Sequence, residues 1–264
     1  MRGGGRAGIG GIGLLVVLAI GYFAGIDVTP LLQGQDPFRD AGTSAPRDLT
    51  PEEERAAEFS ARVLATTEDV WRGVFDDQLQ GVYEPPTLVL FSGVTQSPCG
   101  DASGATGPFY CPADEKAYLD TAFFAALSRT LGAQGDFAAA YVIAHEVAHH
   151  VQNELGVLAE VNRLRQGASA EKANALTVRL ELQADCLAGV WAHGVDGLLD
   201  PGDLDEALEA ARRIGDDYLQ RRAGRVPQPH TFTHGTSRQR SAWFARGYDG
   251  GKVSDCDTFA ARQL

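Results

Sequence analysis

Residues 141–155 read YVIAHEVAHHVQNEL. Apolar residues surround the segment at helical spacing, so it demands burial as a helix, yet it carries three imidazoles and a carboxylate. Ionisable groups enter a core only when something pairs them. His145, Glu146 and His149 form HExxH. Residues four apart differ by only about 40° around a helix, so the two imidazoles project from one face and can hold one ion. Neutral imidazole is a preferred ligand of Zn2+, and Glu146 sits at the rim, placed to take a proton from a water the metal activates. His150 lies about 140° from His145 and reads as packing. Without a third ligand, the segment reduces to an ordinary helix with two buried histidines.

A catalytic zinc site uses three protein groups and leaves one position open. The metzincin pattern would put a histidine at 155 and a glycine at 152, but the chain has Leu155 and Gln152. The segment RLELQADCLAGVW, residues 179–191, instead places Glu181 and Asp185 on one face of a second apolar helix. Burying two carboxylates there is costly unless a cation neutralises them, and a metal ion is the economical choice.

HExxH followed on a later helix by ExxxD is similar to the gluzincin metallopeptidases. More closely, four blocks in order, CGDASGATGPFYCPADEKAYLD, HEVAHHVQ, LELQADCLAGVW and HGTSRQR, resemble the neutral zinc metallopeptidase family of bacteria, single-pass membrane proteins. The resemblance runs from the N-terminal apolar stretch to about Asp257. It implies that His145, His149 and Glu181 ligate Zn2+, that Glu146 is general base and later proton donor, and that Asp185 orients a ligand histidine. His234, in a loop before a capped helix, would stabilise the tetrahedral oxyanion as a late histidine does in thermolysin-like enzymes, a structural role being the alternative, with Arg240 supporting that region. KAYLD, residues 116–120, would be an edge strand pairing with the substrate backbone, a plain interior strand being the alternative. The implied activity is endopeptidase cleavage of a peptide or protein substrate. The competing reading is a catalytically inactive envelope scaffold that keeps the zinc-binding helix pair, although a structural site has no use for Glu146 and would want a fourth protein ligand. His193, near a helix end, reads as a favourable charge at a helix C-terminus, and His230 has no partner that spacing can name.

Outside these blocks the chain divides by composition. Arg2 and Arg6 precede the uncharged stretch Ala7–Ile26, which Asp27 ends. As a helix that stretch spans about 30 Å, the thickness of bilayer hydrocarbon. The arginines keep residues 1–6 in the cytoplasm and send the remainder across the cell membrane. A cleaved signal peptide is the alternative, but its small-x-small site, Ala19–Gly21, falls inside the apolar run. Gly21 and Gly25 have GxxxG spacing, which would allow self-association in the membrane. Residues 27–48, rich in Gly, Pro, Gln and Asp, form a tether. Net charge is −12; with no acid before Asp27, the acidity lies wholly in the exported part and argues against nucleic-acid binding.

The domain, residues 49–264, is expected to be mostly α with a small β-sheet (α+β, zincin-like). Thr50, Pro51 and Glu53 announce a helix with a capping box. TLVLF, GPFY and KAYLD supply the strands. Further helices are expected from Asp120 to Gly132, from Asp136 to Gly156, from Ser169 to about His193, as one helix across 204–224, and from Thr236 to a stop at Gly247. Four cysteines, Cys99, Cys111, Cys186 and Cys256, none at CxxC spacing, suit an exported chain with two disulfides. Of three connectivities, Cys99 with Cys111 closes the simplest loop and leaves Cys186 with Cys256. Buried free thiols are the alternative for a chain kept in the cytosol.

Overall fold

The computed structural model describes residues 50–103, 107–121, 123 and 135–264. The expected anchor and tether, and nearly all of the helix expected after Asp120, lie outside the described residues. No described helix is long and apolar enough to cross a membrane.

The described chain is mostly helical with a small mixed sheet. Helix α1, Pro51–Val74, opens on the capping box expected from its sequence. The Thr50 and Glu53 side chains each accept the other's backbone N–H, at 3.2 and 2.8 Å. It buries Val63, Trp71 and Val74 and then widens into a π turn, Phe75–Leu79. Strands β1, Thr87–Phe91, β4, Phe109–Cys111, and β5, Lys116–Asp120, make a sheet in the order β1-β5-β4. β1 runs parallel to β5 and β4 antiparallel to it. The Phe109 and Tyr118 rings stack across the β4–β5 pair at 4.8 Å.

KAYLD is therefore the central strand and not an edge. Both its flanks are hydrogen-bonded and four of its five side chains are buried, so no substrate backbone can pair with it. Between β1 and β4 the sequence reading missed a hairpin, β2, Val94–Ser97, with β3, Gly100–Ser103. Its polar residues lack the apolar alternation that signals a strand.

Helix α2, Asp136–Glu154, is buried almost all round, and Tyr141, Val147, Ala148 and Val151 are shielded from solvent. Asp136 was expected to cap it, but Gly135 occupies that position at φ 102° and Asp136 is the first helical residue. The Glu206 carboxylate accepts the Phe137 N–H instead, at 3.2 Å. A short helix α3, Val157–Gln166, went unpredicted. Helix α4, Ala170–Gly194, begins at the Ser169 cap.

The single helix expected over 204–224 is two, α5, Asp203–Arg213, and α6, Asp216–Arg222. They break where Gly215 packs so closely on Ser237 that a Cβ would overlap it. The Ser237 hydroxyl donates to the Arg212 carbonyl at 2.6 Å and ends α5. Helix α7, Ser237–Gly250, has the expected capping box at Thr236 and Gln239. It does not stop at Gly247, because Gly251 at φ 60° is its C-cap. Gly247 serves the contact between α7 and α4: a Cβ there would overlap the Cys186 carbonyl, and one at Gly189 would overlap the Phe244 carbonyl.

One core cluster gathers Phe137, Tyr141, Trp191 and Phe244, and a second gathers Trp71, Val147, Leu182 and Leu187. α2 and α4 pass through both. Disulfides join Cys99 to Cys111, at the end of β4, and Cys186 on α4 to Cys256 near the C-terminus.

Candidate metal centre

The helical spacing of α2 puts His145 and His149 on one face, their ring centroids 4.8 Å apart. α4 brings Glu181 against them. His145 Nε2 lies 3.2 Å from Glu181 Oε2, and His149 Nε2 lies 3.7 Å from Glu181 Oε1. One ligand atom from each residue lies within 4.8 Å of the others.

Behind each imidazole stands a group that occupies its other nitrogen. His145 Nδ1 is 2.9 Å from Asp185 Oδ1, close but without the alignment of a formed hydrogen bond. His149 Nδ1 is 2.8 Å from Gln152 Oε1. Both Nε2 atoms thus face a carboxylate, an arrangement that a cation between them would satisfy. Two imidazoles and a glutamate are a donor set of catalytic zinc, and the residues present fit that ion.

Burial opposes the charged form of His145, but Asp185 and Glu181 outweigh it and push the imidazole up to about 9. Glu181 follows the same logic in reverse. Burial would raise it, yet His149 and His145 hold it well below the usual carboxylate range. In the metal-free chain a proton supplies the missing positive charge, and a metal ion would displace it.

Asp185 is wholly buried and depends on Arg240 from α7. Arg240 donates through Nε to Oδ2 and through Nη2 to Oδ1, both at 2.8 Å. Tyr141, one turn before His145 on α2, donates its hydroxyl to Asp185 Oδ1 at 2.5 Å and accepts from Arg240 Nη2 at 3.2 Å. Desolvation alone would raise Asp185; Arg240 holds it far below the ordinary range. The carboxylate behind His145 therefore stays ionised.

Glu146 is partly buried beside the two imidazoles and has no hydrogen bond or ion pair with any described residue. Burial raises its carboxyl, and His149 and His145 limit the rise. Its charge is left uncommitted, as a base requires.

His234 stands on the loop before α7, close enough for its charge to be felt at Glu181. Asp216, the first residue of α6, holds that loop. Its Oδ2 accepts the backbone N–H groups of Thr233, His234 and Gly235 at 2.8, 2.6 and 2.9 Å. Its Oδ1 lies 3.5 Å from His234 Nδ1. Burial lowers His234, and Asp216 with Glu181 reverses the shift and raises it.

The remaining histidines are elsewhere. His150 is buried and donates from Nε2 to the Glu84 carbonyl at 2.6 Å, while Nδ1 accepts from Tyr110 at 3.0 Å, pinning β4 to α2. His193, in the last turn of α4, bonds through Nδ1 to the Tyr248 carbonyl of α7 at 2.8 Å. His230 is exposed and offers its carbonyl to Asn174.

Three residues at the centre escaped the sequence reading: Tyr141, Gln152 and Asp216. The first two were accessible in principle, lying four before His145 and three after His149 on the same helical face. Asp216 sits 18 residues before His234, across a loop, and local spacing carries no signal for it.

Residues 1–259 match the family model described as "Putative neutral zinc metallopeptidase". The chain belongs to that family. It is 48% identical over 256 residues to the uncharacterized protein YpfJ of Escherichia coli K12, covering 96% of this chain and 88% of the relative. It is 45% identical over 216 residues to the uncharacterized protein Rv2575 of Mycobacterium tuberculosis, covering 77% and 71% respectively. No solved structure gives a significant match.

Proposed function

We propose that the chain is a zinc-dependent endopeptidase of zincin-like architecture, held on the outer face of the cell membrane by its N-terminal helix. The observation that carries the reading is the convergence of His145, His149 and Glu181 within 4.8 Å, with an uncommitted glutamate beside them. Zn2+ bound there would supply Lewis-acid polarisation of a carbonyl and lower the pKa of a water toward about 7.

Glu146 takes the proton of the attacking water and returns it to the leaving amine nitrogen, its raised carboxyl moved toward the pH at which such transfer is efficient. Asp185, kept ionised by Arg240, orients His145. Gln152 does the same for His149. His234, its imidazole raised by Asp216 and Glu181 against the effect of burial, is the candidate donor to the carbonyl oxygen as negative charge develops on it. The outward location is supported by Arg2 and Arg6 ahead of the apolar stretch and by two disulfides, which persist in oxidising compartments.

The test is Glu146→Gln in the full-length chain. Hydrolysis of a quenched fluorescent peptide library should fall by about 10²- to 10⁴-fold with zinc stoichiometry unchanged. Equal proteomic cleavage patterns for wild type and variant in the native envelope would favour the inactive scaffold and sink the peptidase reading.

A further inference from the structure

Gln152 is wholly buried on α2, one turn beyond His149, and two backbone carbonyls decide which way its amide points. The Cys256 carbonyl can only accept, so Gln183 Nε2 donates to it at 3.2 Å and the Gln183 oxygen faces back toward α2. That oxygen receives Gln152 Nε2 at 3.0 Å. The same nitrogen donates to the Leu180 carbonyl at 2.8 Å, a second group that can only accept. Both amide hydrogens of Gln152 are then engaged, and its oxygen, turned to His149 Nδ1, can only accept. His149 therefore carries its proton on Nδ1 and presents a lone pair at Nε2, the atom that faces Glu181.

We infer that Gln152 is the positioning residue for His149 at the metal centre. It holds His149 in the tautomer that an Nε2 ligand requires. Its other two bonds end on Leu180 and Gln183, on either side of Glu181 on α4, and fix which way the amide points. The relay ends on Cys256, which the disulfide to Cys186 fastens to the same α4. The C-terminal segment thereby takes part in orienting His149. This inference rests on the zinc reading above.

Zinc affinity of the full-length chain, measured by competition with a chromophoric chelator, tests it. Gln152→Leu should weaken binding by about 10- to 100-fold, the usual cost of losing a partner behind a ligand histidine. Gln152→Glu still offers an oxygen to Nδ1–H and should bind no more weakly than wild type, although it loses the donors to α4 and melts at a lower temperature. Wild-type affinity in Gln152→Leu would overturn the inference and leave the zinc reading standing. Equal loss in both variants would assign Gln152 to packing and overturn it as well. A wild type that takes up no Zn2+ would overturn both. Should Gln152→Leu fail to fold, long-range ¹H–¹⁵N correlation of metal-free wild type decides the matter. Protonated Nδ1 on His149 is expected, and protonated Nε2 alone contradicts it.

Discussion

Arg240 and Asp185 meet through two parallel hydrogen bonds where neither side chain is appreciably exposed. Desolvating such a pair costs several kcal/mol per ion, so its net worth is small, but removing one partner strands the other. Arg240→Met is expected to lower unfolding stability by about 3–5 kcal/mol in denaturant titrations, with part of the loss recovered when Asp185→Asn is added. Asp216 makes a pH-dependent prediction. Burial raises its carboxyl, but its bonds to His234 and the loop N–H groups outweigh that and depress it below the unfolded value. A depressed carboxylate contributes stability above the unfolded pKa of about 3.9 and loses it as pH falls through the folded pKa. The stability gap between wild type and Asp216→Asn should accordingly be full at neutral pH and shrink below about pH 4. A gap independent of pH would show that the carboxylate charge is not what holds the loop. His145, Glu146 and His149 were legible in the sequence because four-residue spacing on one helix needs no knowledge of the fold. Asp216 was not, because its partners lie across a loop whose path depends on α7.

At the scale of elements, glycine has opposite meanings at a helix crossing and on an open helix face. Gly247 and Gly189 let α7 and α4 approach until backbone meets backbone, and that approach delivers Arg240 to Asp185. Gly247→Ala should cost about 1–3 kcal/mol by overpacking and should also weaken zinc binding by displacing Arg240. Gly73, inside α1 with open space around it, should give the reverse: Gly73→Ala is expected to stabilise by about 0.5–1 kcal/mol through helix propensity. Urea midpoints read both. The helix starts at Thr50, Ser169 and Thr236 were visible because a cap and its partner lie within three residues. The stop expected at Gly247 failed because close helix crossing and chain termination select the same residue type.

For the whole molecule, a metal bound only by the native state adds stability in proportion to the logarithm of its concentration over its dissociation constant, about 2.7 kcal/mol at a hundredfold excess. Thermal unfolding of the full-length chain should therefore shift upward with free Zn2+ and return on chelation, with the disulfides intact throughout. A melting temperature indifferent to zinc would contradict a site spanning α2 and α4. The amino-acid sequence by itself determined the parts whose causes are local: two apolar helices carrying buried ionisable groups, their capped starts, and the residue types at the centre. Tertiary structure alone decided that KAYLD is interior, that the 204–224 segment breaks at Gly215, and that Arg240 stands behind Asp185 and Asp216 behind His234. Those outcomes depend on which distant backbone lies alongside, and a single chain's spacing holds no record of that until burial and hydrogen bonding bring the segments together.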